Sequence, residues 1–99
     1  MVLKKLRREA EIVLRHLEVL EKVKKDQPIG IFKLAEIIKM PKHKVRYSLR
    51  ILEQSGIIEP TQHGAVIRGD ADLERLRREI KDIRDLIKEI EKRIEEICR

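Results

Sequence analysis

Apolar residues recur at helical spacings through the first 25 residues of this chain. Residues 2–25 contain neither glycine nor proline. Their apolar positions alternate intervals of three and four residues, as in a heptad-like stripe. The stripe comprises Leu3, Leu6, Ala10, Val13, Leu17 and Leu20. We therefore predict one long helix over residues 2–25, which ends before Pro28 because proline disfavours helical geometry in the preceding residue.

A second and more regular stripe occupies the C-terminal third. From Leu73 to Ile97 the large apolar residues alternate the same two spacings without a break for nearly four heptads, and Asp70 is suited to cap the helix. This predicts a coiled-coil helix on the order of 40 Å long. An exposed stripe of that length needs a partner. The residues predicted to form a dimer interface are Leu3, Leu6, Leu73, Leu76, Ile80, Ile83, Leu86, Ile87, Ile90, Ile94 and Ile97.

The flanking charges bear on how two such helices pair. A parallel pair places Leu86 opposite Glu91, whereas a fully overlapped antiparallel pair places Leu86 opposite its own copy and Glu79 opposite Arg93. The antiparallel pair also sets Arg84 against Arg84. We favour the antiparallel arrangement. Higher parallel oligomers, and packing of the first helix on the last, are the other arrangements that the pattern allows.

Two shorter helices are predicted between these stripes, over residues 31–39 and 42–55. A tight turn at residues 39–41 joins them, and Pro41 is favoured in the first turn of the second helix. Two short helices joined in this way form a helix-turn-helix. Such turns usually carry a glycine, and this one has none.

A short β-hairpin is predicted directly after the second of these helices. Gly56 is suited to end that helix. Residues 57–59 and 65–67 can form two strands, with residues 60–64 as the turn, inside a wing over residues 57–68. The fold class predicted is therefore mainly α with a small β-hairpin: a winged helix-turn-helix in residues 1–69 and a C-terminal coiled-coil dimerisation helix in residues 70–99.

The helix predicted over residues 42–55 has two chemically different sides. Val45, Leu49 and Leu52 share one apolar face, and no acidic residue occurs before Glu53. The other side carries Lys42, His43, Lys44, Arg46, Tyr47 and Arg50. A helix that is anchored on one side and basic on the other suits the DNA major groove. An ordinary solvated helix face is the alternative explanation.

Charge is distributed unevenly along the chain, which has a net charge of +6 with 42% charged residues. Residues 28–69 hold seven basic and three acidic side chains, whereas residues 70–99 hold nine and ten. The excess of positive charge outside the C-terminal third favours a polyanionic partner. No apolar run reaches membrane-spanning length, the N-terminus lacks the apolar core of a secretory signal, and the single Cys98 suits a reducing compartment. We expect a cytoplasmic protein without membrane contact.

The residues that could carry catalytic or metal chemistry are scattered. His16, His43 and His63 lie on three different predicted elements, and no pair has the spacing of metal ligands. Ser48 has no base at a recognisable spacing, and there is no glycine-rich phosphate loop. We therefore expect no catalytic centre, no metal site, no cofactor and no small-molecule ligand.

The segment KVRYSLRILEQSGIIEP resembles archaeal winged-helix transcriptional regulators and, more loosely, the MarR and ArsR families. The resemblance begins at Pro28 and covers about forty residues, PIGIFKLAEIIKMPKHKVRYSLRILEQSGIIEPTQHGAVI. It implies that the third helix enters the major groove and that the hairpin tip approaches the backbone or minor groove. The DNA-contacting residues that it implies are Lys42, His43, Lys44, Arg46, Tyr47 and Arg50 on the helix, with Gln62, His63 and Arg68 on the wing.

Together these features predict a homodimeric transcriptional regulator that binds double-stranded DNA through its third helix and dimerises through its terminal helices. Two alternatives remain open at this point. One is an architectural, nucleoid-associated DNA-binding protein, and the other is a winged-helix adaptor that binds proteins and not DNA.

Overall fold

Four helices and one β-hairpin make up the protein, described by a computed structural model of residues 1–99. In chain order they are α1 (Lys4–Asp26), α2 (Ile31–Ile38), α3 (Lys42–Gln54), β1 (Ile58–Thr61), β2 (Gly64–Ile67) and α4 (Glu74–Cys98). The first three helices lie within one or two residues of their predicted bounds. The predicted fold class, mainly α with a small antiparallel hairpin, is confirmed.

The hydrophobic core lies where the second half of α1, both short helices and the hairpin meet. Its members are Val19, Leu20, Val23, Ile29, Leu34, Val45, Leu52, Ile57, Ile58 and Ala65. No core residue comes from the first turns of α1 or from α4, although Leu73 and Leu76 pack against the rim of the core. The small core therefore holds α3 in place, while the ends of the chain extend beyond it.

The turn between α2 and α3 is tight although it lacks glycine. Lys39 takes the left-handed conformation with φ 61°. In this conformation the backbone N–H of Lys39 donates to the carbonyl of Ala35, and so does the N–H of Met40 at 3.1 Å. Glycine is the residue most often found at this position because it has no Cβ to clash. The helix-turn-helix geometry is thus formed with some backbone strain at Lys39.

Replacing Lys39 with glycine is expected to stabilise the fold by about 0.5–1 kcal/mol, because the relief of left-handed strain exceeds the added entropy of the unfolded chain. Urea titration of the two proteins measures this difference. Lys39→Ala is the matched control, since it removes the same charge and keeps a Cβ, and it is expected to give no gain. Equal stabilisation by alanine and glycine would show that the charge of Lys39, and not its conformation, is unfavourable.

The turn of the hairpin is shorter than predicted. Residues 60–64 were expected to form it, but β1 continues to Thr61 and β2 starts at Gly64, so that only Gln62 and His63 lie between the strands. The hydroxyl of Thr61 donates to the carbonyl of Gly64 at 2.7 Å and accepts from the N–H of His63 at 3.2 Å. These bonds, together with the positive φ of Gly64, close the two-residue turn.

Pro60 lies inside β1 without disrupting the ladder. It pairs with Ala65, whose N–H and carbonyl both point away from β1. The N–H of Ala65 donates to the carbonyl of Ile29 at 2.8 Å, and the carbonyl of Ala65 accepts from the N–H of Ile29 at 3.1 Å. The missing N–H of Pro60 therefore leaves no group unsatisfied. Ile29 forms an isolated antiparallel bridge to Ala65, and the side chain of Gln27 accepts from the N–H of Ile67 at 2.8 Å. The segment before α2 thus covers one edge of the hairpin.

The start of α4 was predicted at Asp70, and this is wrong. The helix begins at Glu74, and Asp72 accepts from the N–H of Arg75 at 3.1 Å. A hydrogen bond from Arg78 at 2.8 Å helps to lower the pKa of the Asp72 carboxyl. Asp70 instead accepts hydrogen bonds from Arg68 of the wing.

The molecule is elongated, since its radius of gyration of 16.5 Å exceeds the roughly 13 Å of a compact domain of this length.

Candidate nucleic-acid interface

The helix α3 is held by its apolar side and presents its basic side to solvent. Val45 and Ser48 are fully buried and Leu52 is 5% exposed, so that one face of the helix faces the core. Leu49 is half-buried beside them. The six residues predicted to contact DNA are all exposed: Lys42, His43, Lys44, Arg46, Tyr47 and Arg50. The structure therefore brings the predicted helix residues together on one accessible surface.

The positive charge on this surface is not neutralised within the chain. None of the ion pairs involves a basic residue of α3, whereas α4 pairs Arg75 with Glu79 at 3.4 Å and Arg93 with Glu89 at 3.1 Å. The first acidic residue of α3 is Glu53, in its last turn. A concentrated and unpaired positive charge on a fixed scaffold attracts a polyanion more strongly than the same charges balanced along α4.

A partly buried hydrogen bond joins α3 to α1. The Nδ1 atom of His16 lies 2.7 Å from the hydroxyl oxygen of Ser48. The two residues are 32 positions apart, so that no local spacing in the sequence could reveal the contact. Partial burial, with a smaller contribution from Arg15, lowers the pKa of His16 below its usual value. Ser48 is 0% exposed, so its hydroxyl is held inside the protein and helps to fix the position of α3.

Tyr47 is placed by the same contact between helices. Its ring centroid lies 5.6 Å from that of His16 in a tilted arrangement, while 45% of the residue stays exposed. Tyr47 packs on α1, and enough of it remains exposed to face a ligand on the α3 surface.

Phe32 belongs to this surface and was not among the residues predicted from the sequence to contact DNA. It is 67% exposed in the first turn of α2, and the ammonium of Lys42 lies 4.1 Å from its ring centroid. A cation–π contact at an exposed site contributes about 0.5–1 kcal/mol and orients the flexible lysine side chain. The local sequence pattern gave no signal for this, because the helix-turn-helix geometry brings Phe32 to the basic surface.

The wing contributes two exposed residues and one that is already paired. Gln62 and His63 form the hairpin tip, and their side-chain nitrogens lie 3.2 Å apart. Arg68 instead donates two hydrogen bonds of 2.9 Å to Asp70. These bonds and the opposite charge raise the pKa of the Arg68 guanidinium and lower that of the Asp70 carboxyl. Of the three predicted wing residues, Arg68 is therefore paired with an acidic side chain, whereas Gln62 and His63 at the tip are not.

The predicted interface residues on the terminal helices remain largely uncovered. Leu73, Leu76 and Ile87 are half-buried. The others are exposed, from 36% for Ile90 to 80% for Ile97. The exposed set comprises Leu3, Leu6, Ile80, Ile83, Leu86, Ile90, Ile94 and Ile97. The single chain therefore leaves most of the regular stripe without a partner.

The arrangement of the remaining polar groups adds no second kind of site. The side chains of His, Cys, Asp and Glu form no group of three or more that could hold a metal ion. None of the four helices combines the length and the apolar character that a membrane crossing requires. The α3 surface with the hairpin tip is thus the candidate functional site.

Comparison with models of known protein families finds no match for this chain, and comparison with curated proteins finds none either. The geometry and the charge of the α3 surface are therefore the basis for assigning a function.

Proposed function

We propose that this protein is a homodimeric, cytoplasmic transcriptional regulator that binds double-stranded DNA through α3. The observation that supports this most strongly is the unpaired basic surface of α3, which lies on a helix fixed by Val45, Ser48 and Leu52. The major groove admits an α-helix, and phosphates attract its cations on both sides. The two copies present two such helices to related half-sites.

The basic side chains divide into two roles by their positions on α3. Lys42 and Lys44 lie in the first turn of α3. They are assigned to contacts with phosphates at the edge of the DNA major groove, which carry little sequence information. Arg46 and Arg50 are one turn apart on the exposed side, where a guanidinium can make two hydrogen bonds to guanine. His63 and Gln62 at the hairpin tip are assigned to the adjacent backbone.

Replacing Arg46 and Arg50 together with alanine is expected to weaken DNA binding at least about thirtyfold. Each lost two-bond contact is worth about 1–3 kcal/mol, and every 1.4 kcal/mol corresponds to a factor of ten. The measurement is a fluorescence anisotropy titration against labelled genomic fragments at several salt concentrations. The charge-matched control is Lys81→Ala with Lys88→Ala on α4, which removes two positive charges away from α3 and is expected to change affinity little.

The same titration separates the alternatives. Absence of binding at low salt, or equal loss in the α3 and α4 variants, would contradict DNA binding by α3 and favour a protein-binding adaptor. Strong salt dependence with equal affinity for all fragments would instead identify an architectural protein that binds the phosphate backbone. A regulator is expected to prefer particular fragments over bulk DNA at physiological salt.

A further inference from the structure

An apolar groove lies between α1 and α4. Near the free end of α1 it is lined by Leu3, Leu6, Ala10, Ile80, Ile83 and Ile87, with few polar groups. Nearer the core, a second and more polar cavity is lined by Val13, Leu17 and Leu20 of α1 and by Leu76 of α4. The numbering rises along one wall as it falls along the other, so the two helices run antiparallel. Both stripes identified in the sequence therefore face each other across this groove.

The groove is open because the two helices do not close on each other. Ile80 is 58% exposed and Ile83 is 48% exposed, although their partners in the opposite wall are apolar. The stripe also continues past the groove, since Ile94 and Ile97 lie beyond the part of α4 that faces α1. The chain thus has both an apolar groove and a projecting apolar helix, and one cannot fill the other within the same molecule.

The α4 sequence is self-complementary in the antiparallel direction. When two copies of α4 overlap fully, every core position of one helix faces an apolar core position of the other. The facing pairs are Leu73 with Ile97, Leu76 with Ile94, Ile80 with Ile90, and Ile83 with Ile87. The centre of this overlap lies between residues 83 and 87, which is the part of α4 that lines the groove.

The charges beside the core agree with the same register. Glu79 faces Arg93 and Arg77 faces Glu91, which gives two attractive pairs that symmetry doubles. Leu86 meets its own copy, whereas a parallel pair would place this apolar side chain, which is 65% exposed in the single chain, against Glu91. The antiparallel pair has one repulsive contact, Arg84 against Arg84. Both helices stay solvent-accessible at these edges, so salt screens that repulsion.

We propose that the groove between α1 and α4 binds α4 of a second copy of this chain, antiparallel and in the fully overlapped register. The interface is isologous, because each chain supplies the groove and the helix that fills the other groove. The two α1 helices flank the paired α4 helices. The two α3 surfaces then lie at opposite ends of a rod, and this inference deepens the homodimeric part of the proposed function.

Cysteine crosslinking without DNA tests the register. Ile80→Cys and Ile90→Cys are each combined with Cys98→Ser, and the two proteins are refolded separately and as a mixture. In the proposed register residues 80 and 90 face each other between chains, while identical positions are offset by about 15 Å along the axis. A short bis-maleimide reagent is therefore expected to crosslink the mixture and to leave each separate variant uncrosslinked. Both positions are exposed, and circular dichroism checks that each variant is folded.

Three results would overturn the proposal. Crosslinking within each separate variant would indicate a parallel pair, in which identical positions adjoin. The absence of crosslinking in the mixture would exclude the register, and light scattering that shows a monomer at micromolar concentration would exclude the dimer. All three readouts are obtained without DNA, so that a failure here is distinguishable from a failure of DNA binding by α3.

Discussion

Replacing Gly64 with alanine is expected to destabilise the fold by about 2–4 kcal/mol, more than any other single glycine substitution. A Cβ at this position would lie 2.5 Å from the carbonyl carbon of Ile29 and 2.8 Å from the backbone nitrogen of Gly30. Both are backbone atoms, so no side chain can move aside. The residue also has φ 125°, a conformation that L side chains rarely adopt. The clash would separate the hairpin from the segment that holds its edge.

Two other glycines provide graded controls for this result. Gly56 has φ 76° but open space around its Cα, so that Gly56→Ala meets only backbone strain and is expected to cost about 1 kcal/mol. Gly69 has neither a positive φ nor a neighbour within 4 Å, and Gly69→Ala is expected to change stability by less than about 0.5 kcal/mol. Guanidinium titrations at one fixed protein concentration compare the three, since the stability of a dimer depends on concentration. Equal losses at Gly64 and Gly56 would contradict a steric cause.

The sequence predicted those parts of the fold that depend on local spacing. The periodic stripes defined α1 and the body of α4, and Pro41 and Gly56 bounded α3 because each acts on the residues next to it. The start of α4 was wrong because two acidic residues compete for the same role. The side chain of Asp70 accepts a hydrogen bond from Arg68, and the side chain of Asp72 accepts one from the backbone N–H of Arg75 in the first turn of α4. Local pattern cannot decide between such competitors.

The contacts that fix the candidate site are long-range and were therefore not predictable. The bond between His16 and Ser48 spans 32 residues, and the bridge between Ile29 and Ala65 spans a similar distance along the chain. Both form because three helices and the hairpin enclose one small core. The basic face of α3 was predictable, since residues on a single helix already share a face by their spacing. Phe32 joins that surface only through the helix-turn-helix geometry.

The net charge of a segment does not give the charge that is available to a ligand, as the wing shows. Arg68 counts as a basic residue of the predicted wing, and its two hydrogen bonds to Asp70 leave the pair nearly neutral. The net charge of residues 28–69 therefore overstates the positive charge available to a ligand near the hairpin. Most of the available charge lies on α3, which explains why the proposed function depends on that helix more than on the wing.

Replacing Ile83 with glutamate is expected to dissociate the dimer and to weaken binding to a DNA that carries two half-sites about 10²–10⁴-fold. Ile83 lines the groove and is 48% exposed in the single chain, so the variant can fold while two carboxylates are forced into the proposed interface. A linked pair of α3 helices binds its second half-site at high effective concentration, and a monomer loses this advantage. Light scattering measures the dissociation, and anisotropy measures the affinity.

The matched control is Leu14→Glu, which makes the same chemical change on α1. Leu14 is 66% exposed and lines neither the groove nor the cavity nearer the core, so this variant is expected to remain dimeric and to keep its affinity within a few-fold. The slope of log affinity against log salt supplies a second readout, since it follows the number of phosphate contacts. It is expected to fall by about half in Ile83→Glu, because one α3 surface instead of two contacts the DNA, and to stay unchanged in Leu14→Glu. An Ile83→Glu protein that is monomeric but binds with undiminished affinity and slope would show that a single α3 surface accounts for all of the binding.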